Sequence, residues 1–147
     1  MRFSNLRVAI PPDWSDGSLY TFVAPSRVGG VAPVREFRSN VVFQSRALES
    51  GEGLEQCVER VKAHLVELYG QLQIEANDGP RLASGPSRRL SYTVTNKGSP
   101  DVAQSVYVFI VGETEWQAAF SATARNLSES LPQWEAIVAS VQLVGTD

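Results

Sequence analysis

Residues 36–69, EFRSNVVFQSRALESGEGLEQCVERVKAHLVELY, decide how this chain folds. From residue 37 to Arg46 apolar and polar residues alternate, which predicts a long strand that carries Asn40. A glycine-punctuated loop follows, and apolar residues then recur at the i, i+4, i+7 spacing of a helix over about residues 53–69. Acidic residues at the start of this helix and Gly70 at its end suit a helix dipole and a helix C-terminus. The stretch predicts a strand–loop–helix unit and contains no nucleophile–base pair, metal cluster or phosphate loop.

The rest of the chain has the pattern of further strands and one more helix. Alternation predicts strands over residues 5–10, 19–23, 72–76, 81–84, 88–96, 102–111 and 116–124, with turns over 13–18 and 77–80. An S-x-x-Q capping box at Ser130 and Gln133 predicts a helix over about 130–141. The segment 102–111 is apolar on both faces, as a central strand covered on both sides would be. We therefore expect an α+β fold over residues 1–147, one domain with a mostly antiparallel sheet and a helix on each face.

Composition limits the classes of function. The chain has 147 residues, of which 43% are hydrophobic and 20% charged, and its net charge of −3 disfavours a nucleic-acid partner. Cys57 is the only cysteine, so no intrachain disulfide can form. No apolar run approaches the ~18 residues of a membrane span, and the first residues have no apolar signal region and no lipobox cysteine. The sequence predicts a cytoplasmic protein, although a chain whose export signal had been removed would look the same.

Candidate reactive residues are few and scattered. His64 lies at the edge of the helix stripe, and Cys57 lies nearer its apolar centre, where it is expected to be a small buried hydrophobe. Asp13 and Asp16 flank Trp14, and they are expected to cap a turn rather than to bind a metal or act as acid and base. We therefore predict no catalytic residue, no cofactor and no metal.

One surface has a positive functional interpretation. Two of the predicted strands beside the central one carry small, hydroxyl-bearing or amide side chains, which let another backbone or helix approach closely and offer hydrogen bonds. The candidate partner-binding residues are Ser91, Thr93, Thr95, Gln117, Ser121 and Thr123. The alternative is a solvated β face that is rich in threonine because threonine favours strands. The glycine- and proline-rich loop at 25–35 is a second candidate for gripping a partner.

Several short motifs along the chain resemble the DcrB-related family, whose relatives include the mycobacterial LpqN-type lipoproteins. They are Ile10-Pro11-x-x-Trp14-x-Asp16, Phe37-x-x-Asn40-Val41-Val42, Arg89-Leu90-x-Tyr92, Ala122-Thr123-Ala124, and Trp134 with Ala139-Ser140-Val141. The resemblance covers nearly the whole chain, and none of these motifs is catalytic.

The resemblance implies a fold and a class of function. The fold it implies is that of the photosystem protein PsbP and the Mog-type Ran-binding factor, an α/β/α sandwich. It implies no enzymatic activity. Some members act as dimeric Eag-type chaperones for type VI secretion effectors, and others are envelope lipoproteins. We therefore expect a non-enzymatic protein-binding domain, with an effector chaperone as the first hypothesis and a small-ligand or cell-envelope binding domain as the alternative.

Overall fold

The structure, a computed structural model, describes residues 2–3, 6–12, 15–18, 21–23, 39–95 and 100–143. The strands are β1 (Arg2–Phe3), β2 (Leu6–Arg7), β3 (Ser15–Ser18), β4 (Thr21–Val23), β5 (Asn40–Ala47), β6 (Glu75–Asp78), β7 (Ser87–Val94), β8 (Val102–Val111), β9 (Thr114–Thr123) and β10 (Gln142–Leu143). The helices are α1 (Leu54–Tyr69) and α2 (Leu127–Ala139), and a 3-10 turn at Ala124–Asn126 leads into α2.

Seven strands form the main sheet in the order β3-β4-β5-β9-β8-β7-β6, and every pairing in it is antiparallel. A small second sheet joins β1, β2 and β10. Helix α1 packs against β7 and β8, whereas α2 packs against β9. Two apolar clusters fill the layers, one on each side of the sheet. The expected fold class, an antiparallel sheet with a helix on each face, is confirmed.

Strand β8 is central, as its two apolar faces predict. Val106 and Val108 are buried with α1 on one side, and Tyr107 and Phe109 are buried on the side of α2. On that second side Phe120 stacks on the fully buried Trp134, with ring centroids 5.3 Å apart. Because the cores on both faces use adjacent residues of one strand, a register slip in β8 would exchange them.

The predicted helix over 53–69 is confirmed as α1. Gly53 precedes its first turn, and its backbone N–H donates a hydrogen bond of 2.9 Å to Oε1 of Gln56. Cys57 and Leu65 are buried on the predicted apolar face. The second helix begins earlier than predicted, at Leu127, because the 3-10 turn continues directly into it. Ser130 therefore lies inside the helix and is buried, so the predicted capping box is wrong.

Two predicted strands and two predicted turns differ from the structure. The segment 72–76 becomes β6 at Glu75–Asp78, so Asn77 and Asp78 pair with β7 instead of turning. Arg88 and Asp78, which are opposite each other in this pairing, also form an ion pair at 2.9 Å. Residues 81–84 make only an isolated bridge, from Leu82 to Gly85, and no strand. Residues 15–18 form β3, although the sequence predicts a turn there.

The other predicted strand over 5–10 is shortened to β2, while 19–23 and 37–46 overlap β4 and β5. Residues 19, 20, 37 and 38 lie outside the described part of the chain, as does the whole loop at 25–35. In the described ranges no helix is long and apolar enough to cross a membrane.

Candidate functional site

The pairing of β7, β8 and β9 places the six candidate partner-binding residues on two different faces. Ser91 is the neighbour of Ser105, which in turn lies beside Phe120 on the side of α2. Ser121 is the neighbour of Gln104, on the side of α1. Because side chains alternate along a strand, Ser91 and Thr93 share the α2 face, whereas Gln117, Ser121 and Thr123 share the α1 face. The structure does not bring the six together on one surface.

The three residues on the α1 face lie on β9, beyond the strands that α1 covers. Gln117 is half-buried and pairs in register with Gln44. The hydroxyl of Ser121 accepts a hydrogen bond of 3.1 Å from Nε2 of Gln104. Thr123 is half-buried, and its Oγ1 makes no hydrogen bond within the described part of the chain. These side chains form a polar strip of the sheet.

Ser91 and Thr93, in contrast, line a cleft of about 720 Å³ on the α2 face. Strands lie ~4.8 Å apart and a helix is ~10 Å wide, so α2, seated on β9, does not extend over β6 or over the part of β7 that carries the exposed Thr93. The cleft opens between those strands and the first residue of α2. Its lining residues are Gln73, Ile74, Glu75, Ser91, Tyr92, Thr93, Ala103, Gln104, Ser105 and Leu127. Thr95, one residue beyond β7, is exposed and is not part of this lining.

The cleft combines a polar wall with apolar contacts. The hydroxyl oxygens of Ser91 and Ser105 are 3.0 Å apart and hydrogen-bonded, and Ser105 is buried. Thr93 and Glu75 are exposed at the rim. Leu127 and Ile74 are partly buried against the two cores and contribute apolar surface. Such a site can exclude water from part of a ligand and still meet its polar groups.

A half-buried ion pair lies on the same face of β7 as the cleft residues Ser91 and Thr93. Arg89, one alternation step from Ser91 along the same face, forms an ion pair with Glu135 of α2, with Nη1 and Oε1 2.5 Å apart. The buried side chain of Tyr107 lies next to this pair, and burial followed by the Glu135 carboxylate raises its pKa. Tyr107 is therefore protonated at neutral pH. The ion pair and the Tyr107 side chain connect α2 to β7 and β8.

A second charged cluster, which the sequence did not predict, lies on the α1 face of the sheet near the start of β9. Glu115 of β9 is buried, with 1% of its side chain exposed, and it accepts hydrogen bonds from Arg46 and Arg60 at 3.0 Å. Both arginines also bind Glu52, at 2.7 and 3.2 Å. We call these four residues the ion-pair ring. It joins β5, the loop before α1, α1 itself and β9.

The charged groups of the ion-pair ring bind one another and a neighbouring backbone N–H group. The backbone N–H of Glu49 donates to Glu52, and this bond, followed by that of Arg46, holds the pKa of Glu52 below its ordinary value.

Burial, followed by the nearby Glu115 carboxylate, raises the pKa of Cys57 to about 12. Cys57 is fully buried, as expected from the helix stripe. A thiol that stays protonated and inaccessible is no nucleophile.

Glu115 was missed because the sequence interpretation placed it in the turn before β9. The hairpin has only Gly112 and Glu113 between its strands, and Glu115 already pairs with Ile110 and Arg46. Alternation with the apolar Trp116, Ala118 and Phe120 was a signal that could have placed it on the opposite, α1 face.

The structure gives no enzymatic constellation among the residues whose side chains it describes. His64 is exposed on α1. Asp13 and the side chain of Asp16 lie outside what the structure describes. Within the described ranges, no three His, Cys, Asp or Glu residues are grouped so that they could hold a metal ion.

Solved structures resemble this fold at low sequence identity. LpqN, involved in cell envelope biogenesis of Mycobacterium tuberculosis, matches with a TM-score of 0.67 at 11% identity, covering 95% of this chain and 83% of LpqN. The Ran-binding protein Mog1p of Saccharomyces cerevisiae matches with a TM-score of 0.63 at 12% identity, covering 95% of this chain and 90% of Mog1p. PsbP of Synechocystis (CyanoP) matches with a TM-score of 0.56 at 12% identity, covering 97% and 94%.

These matches identify the fold class as that of Mog1p and PsbP, as the sequence resemblance implied. No family model and no curated protein matches the chain, so membership of the DcrB-related family is not shown. At 11–12% identity the likeness concerns the fold and not the activity.

Proposed function

We propose that this chain is a non-enzymatic binding domain, that its partner is a polypeptide, and that the cleft on the α2 face is where the partner binds. The observation that carries this proposal is the cleft itself, a site of about 720 Å³ that two of the candidate residues, Ser91 and Thr93, line. The charged groups of the ion-pair ring pair with one another, as do Arg89 and Glu135. The description of Mog1p as Ran-binding supports a role in protein binding for a domain of this fold.

The finer proposal is that of an adaptor or chaperone for a secreted effector, and it rests on the resemblance to the DcrB-related family. The alternative is a small-ligand or cell-envelope binding domain. It is favoured by the size of the cleft, which would suit a ligand of modest size, and by the description of LpqN as involved in envelope biogenesis.

Photo-crosslinking in cells that naturally make this protein separates the two. A photoreactive residue at position 93 reports on the cleft, and one at Glu67, exposed on α1, is the matched control. We expect position 93 to give a discrete protein adduct, identified by mass spectrometry, and position 67 to give none. Adducts only with small molecules or lipids at position 93, or no adduct together with a monomer in light scattering, would contradict the polypeptide proposal.

A further inference from the structure

The cleft begins where β6 separates from β7. The backbone N–H of Gly79 donates to the carbonyl of Ser87 at 3.0 Å, and hydrogen-bonded pairs in an antiparallel ladder recur every second residue. With the observed register, Asn77 with Arg89 and Glu75 with Ser91 are the next such pairs. A pair between residues 73 and 93 would follow, but β6 begins at Glu75.

Thr93 therefore presents an unused backbone edge to the cleft. Its N–H and C=O point to the β6 side, where they meet no backbone partner among the described residues. Gln73 and Thr93 both line the cleft, so open space lies where the missing pair would be. An unpaired strand edge is a ready template for another extended chain.

The charge around this edge favours a cation. Among the described residues that line the cleft, Glu75 is the only acidic one, and none is Lys, Arg or His. The half-buried Arg89, which precedes Ser91 on the same face of β7, is paired with Glu135. An anionic ligand would meet repulsion here and a basic side chain would meet attraction.

We propose that the cleft takes one extended segment of a partner polypeptide, which pairs its backbone with Thr93 and places a Lys or Arg side chain beside Glu75. This inference rests on the proposed polypeptide partner and specifies the chemistry that recognises it. Glu75 lies across from Ser91, two residues from Thr93, or ~7 Å along the strand, which a basic side chain of the added segment can span. The pairing supplies affinity for any extended chain, and Glu75 supplies selectivity.

An amide NMR titration of the whole protein with capped synthetic pentapeptides tests the inference. The peptide Thr-Val-Lys-Val-Thr should shift the amide resonances of Ser91, Thr93 and Ser105. The same peptide with Glu in place of Lys should bind about tenfold more weakly, because an attraction becomes a repulsion. A version with both Val amides methylated should also bind at least about tenfold more weakly, since it cannot pair its backbone.

Variants of the protein provide the matched controls. Glu75→Gln should weaken the Lys peptide about three- to fivefold, whereas Glu67→Gln, on the far face, should leave its affinity unchanged. Both residues are exposed, so both variants are expected to fold. Equal binding of the Lys and Glu peptides, or of the methylated peptide, overturns the inference. So does the absence of shifts at these residues up to about 10 mM peptide.

Two further outcomes separate this inference from the proposed function. If N-acetyl-lysine amide binds as tightly as the pentapeptide, the cleft recognises a small cation, and the extended-segment inference is wrong. If position 93 crosslinks to a protein in cells and the affinity of that protein is unchanged by Glu75→Gln, the result supports a polypeptide partner. It contradicts the inference that a Lys or Arg of the partner binds beside Glu75.

Discussion

The two polar regions of this molecule, the ion-pair ring and the cleft, differ in how their groups are satisfied. In the ring, two carboxylates and two guanidiniums bind one another at 2.7–3.2 Å around the buried Glu115. In the cleft, hydroxyl and amide groups line open space, and the backbone of Thr93 has no partner on its outer edge in the described residues. The buried charge of this chain therefore organises its fold, whereas the backbone edge of Thr93 and the exposed Glu75 carboxylate are the groups that we propose to bind.

The largest expected effect is on stability and comes from the ring. Glu115→Ala removes the buried acceptor of two arginines, and breaking a buried ion pair typically costs 3–5 kcal/mol. Arg46 and Arg60 are about one-third exposed and can recover some hydration, so we expect a loss of about 2–4 kcal/mol in the free energy of unfolding. Urea denaturation measures it. A loss below about 0.5 kcal/mol would show that the ring is not structural.

Removing Arg60 and Glu115 together should cost less than the sum of removing each alone. In Arg60→Met with Glu115→Gln the buried carboxylate is gone together with one of its partners, so fewer groups are left unpaired. We expect the double variant to be about 1–2 kcal/mol more stable than the sum of the two single effects predicts. Denaturation of all four proteins of the cycle measures the coupling. Strict additivity would contradict a direct interaction between these two residues.

Acid should weaken the ring. The pKa of Glu52 is lower in the folded protein than in the unfolded chain, because Glu49 and Arg46 bind its carboxylate. Its contribution is therefore complete above its unfolded pKa, ~4.3, and is lost as the pH falls through the lower folded value. We expect the stability difference between wild type and Glu52→Gln to shrink on acidification. A difference that is constant or grows between neutral pH and the acid limb would contradict this sign.

The smallest effect on stability should come from the cleft. Thr93→Val keeps the shape of an exposed side chain and removes its hydroxyl, so the free energy of unfolding should change by less than about 0.5 kcal/mol. Thermal denaturation measures this. A loss comparable to that of Glu115→Ala would mean that the cleft side of the sheet is as structural as the ring, and the comparison would fail.

The helices and strands could be predicted from the sequence where the pattern of apolar residues lies within one segment. Periodicity within one segment was enough to place α1 and the two-sided strand β8. The starts of α2 and β9 were misjudged because short turns, Ala124–Asn126 and Gly112-Glu113, run directly into them. The S-x-x-Q pattern at Ser130 placed the start of α2 too late, and the residues 112–115 suggested a longer turn before β9 than the chain uses.

The face on which each candidate residue lies depends on the register between neighbouring strands, and this register cannot be read from the sequence. Ser91 and Ser121 both lie on strands next to β8, but the face each joins is set by the lengths of two connections. The cleft also requires that α2 pack on β9 and that β6 begin no earlier than Glu75. Both are consequences of packing across the whole sheet. The sequence could therefore supply Ser91 and Thr93 as candidates but not the space beside them.

Hydrogen exchange of the protein bound to the polypeptide that crosslinks at position 93 tests the central claim most directly. The account predicts slower exchange at residues 73–75, 91–95 and 103–105 around the cleft. It also predicts unchanged exchange at residues 52–61, which carry the ring side of α1. Protection of 52–61 with no change around the cleft would contradict the account, because it would place binding on the region assigned here to structure.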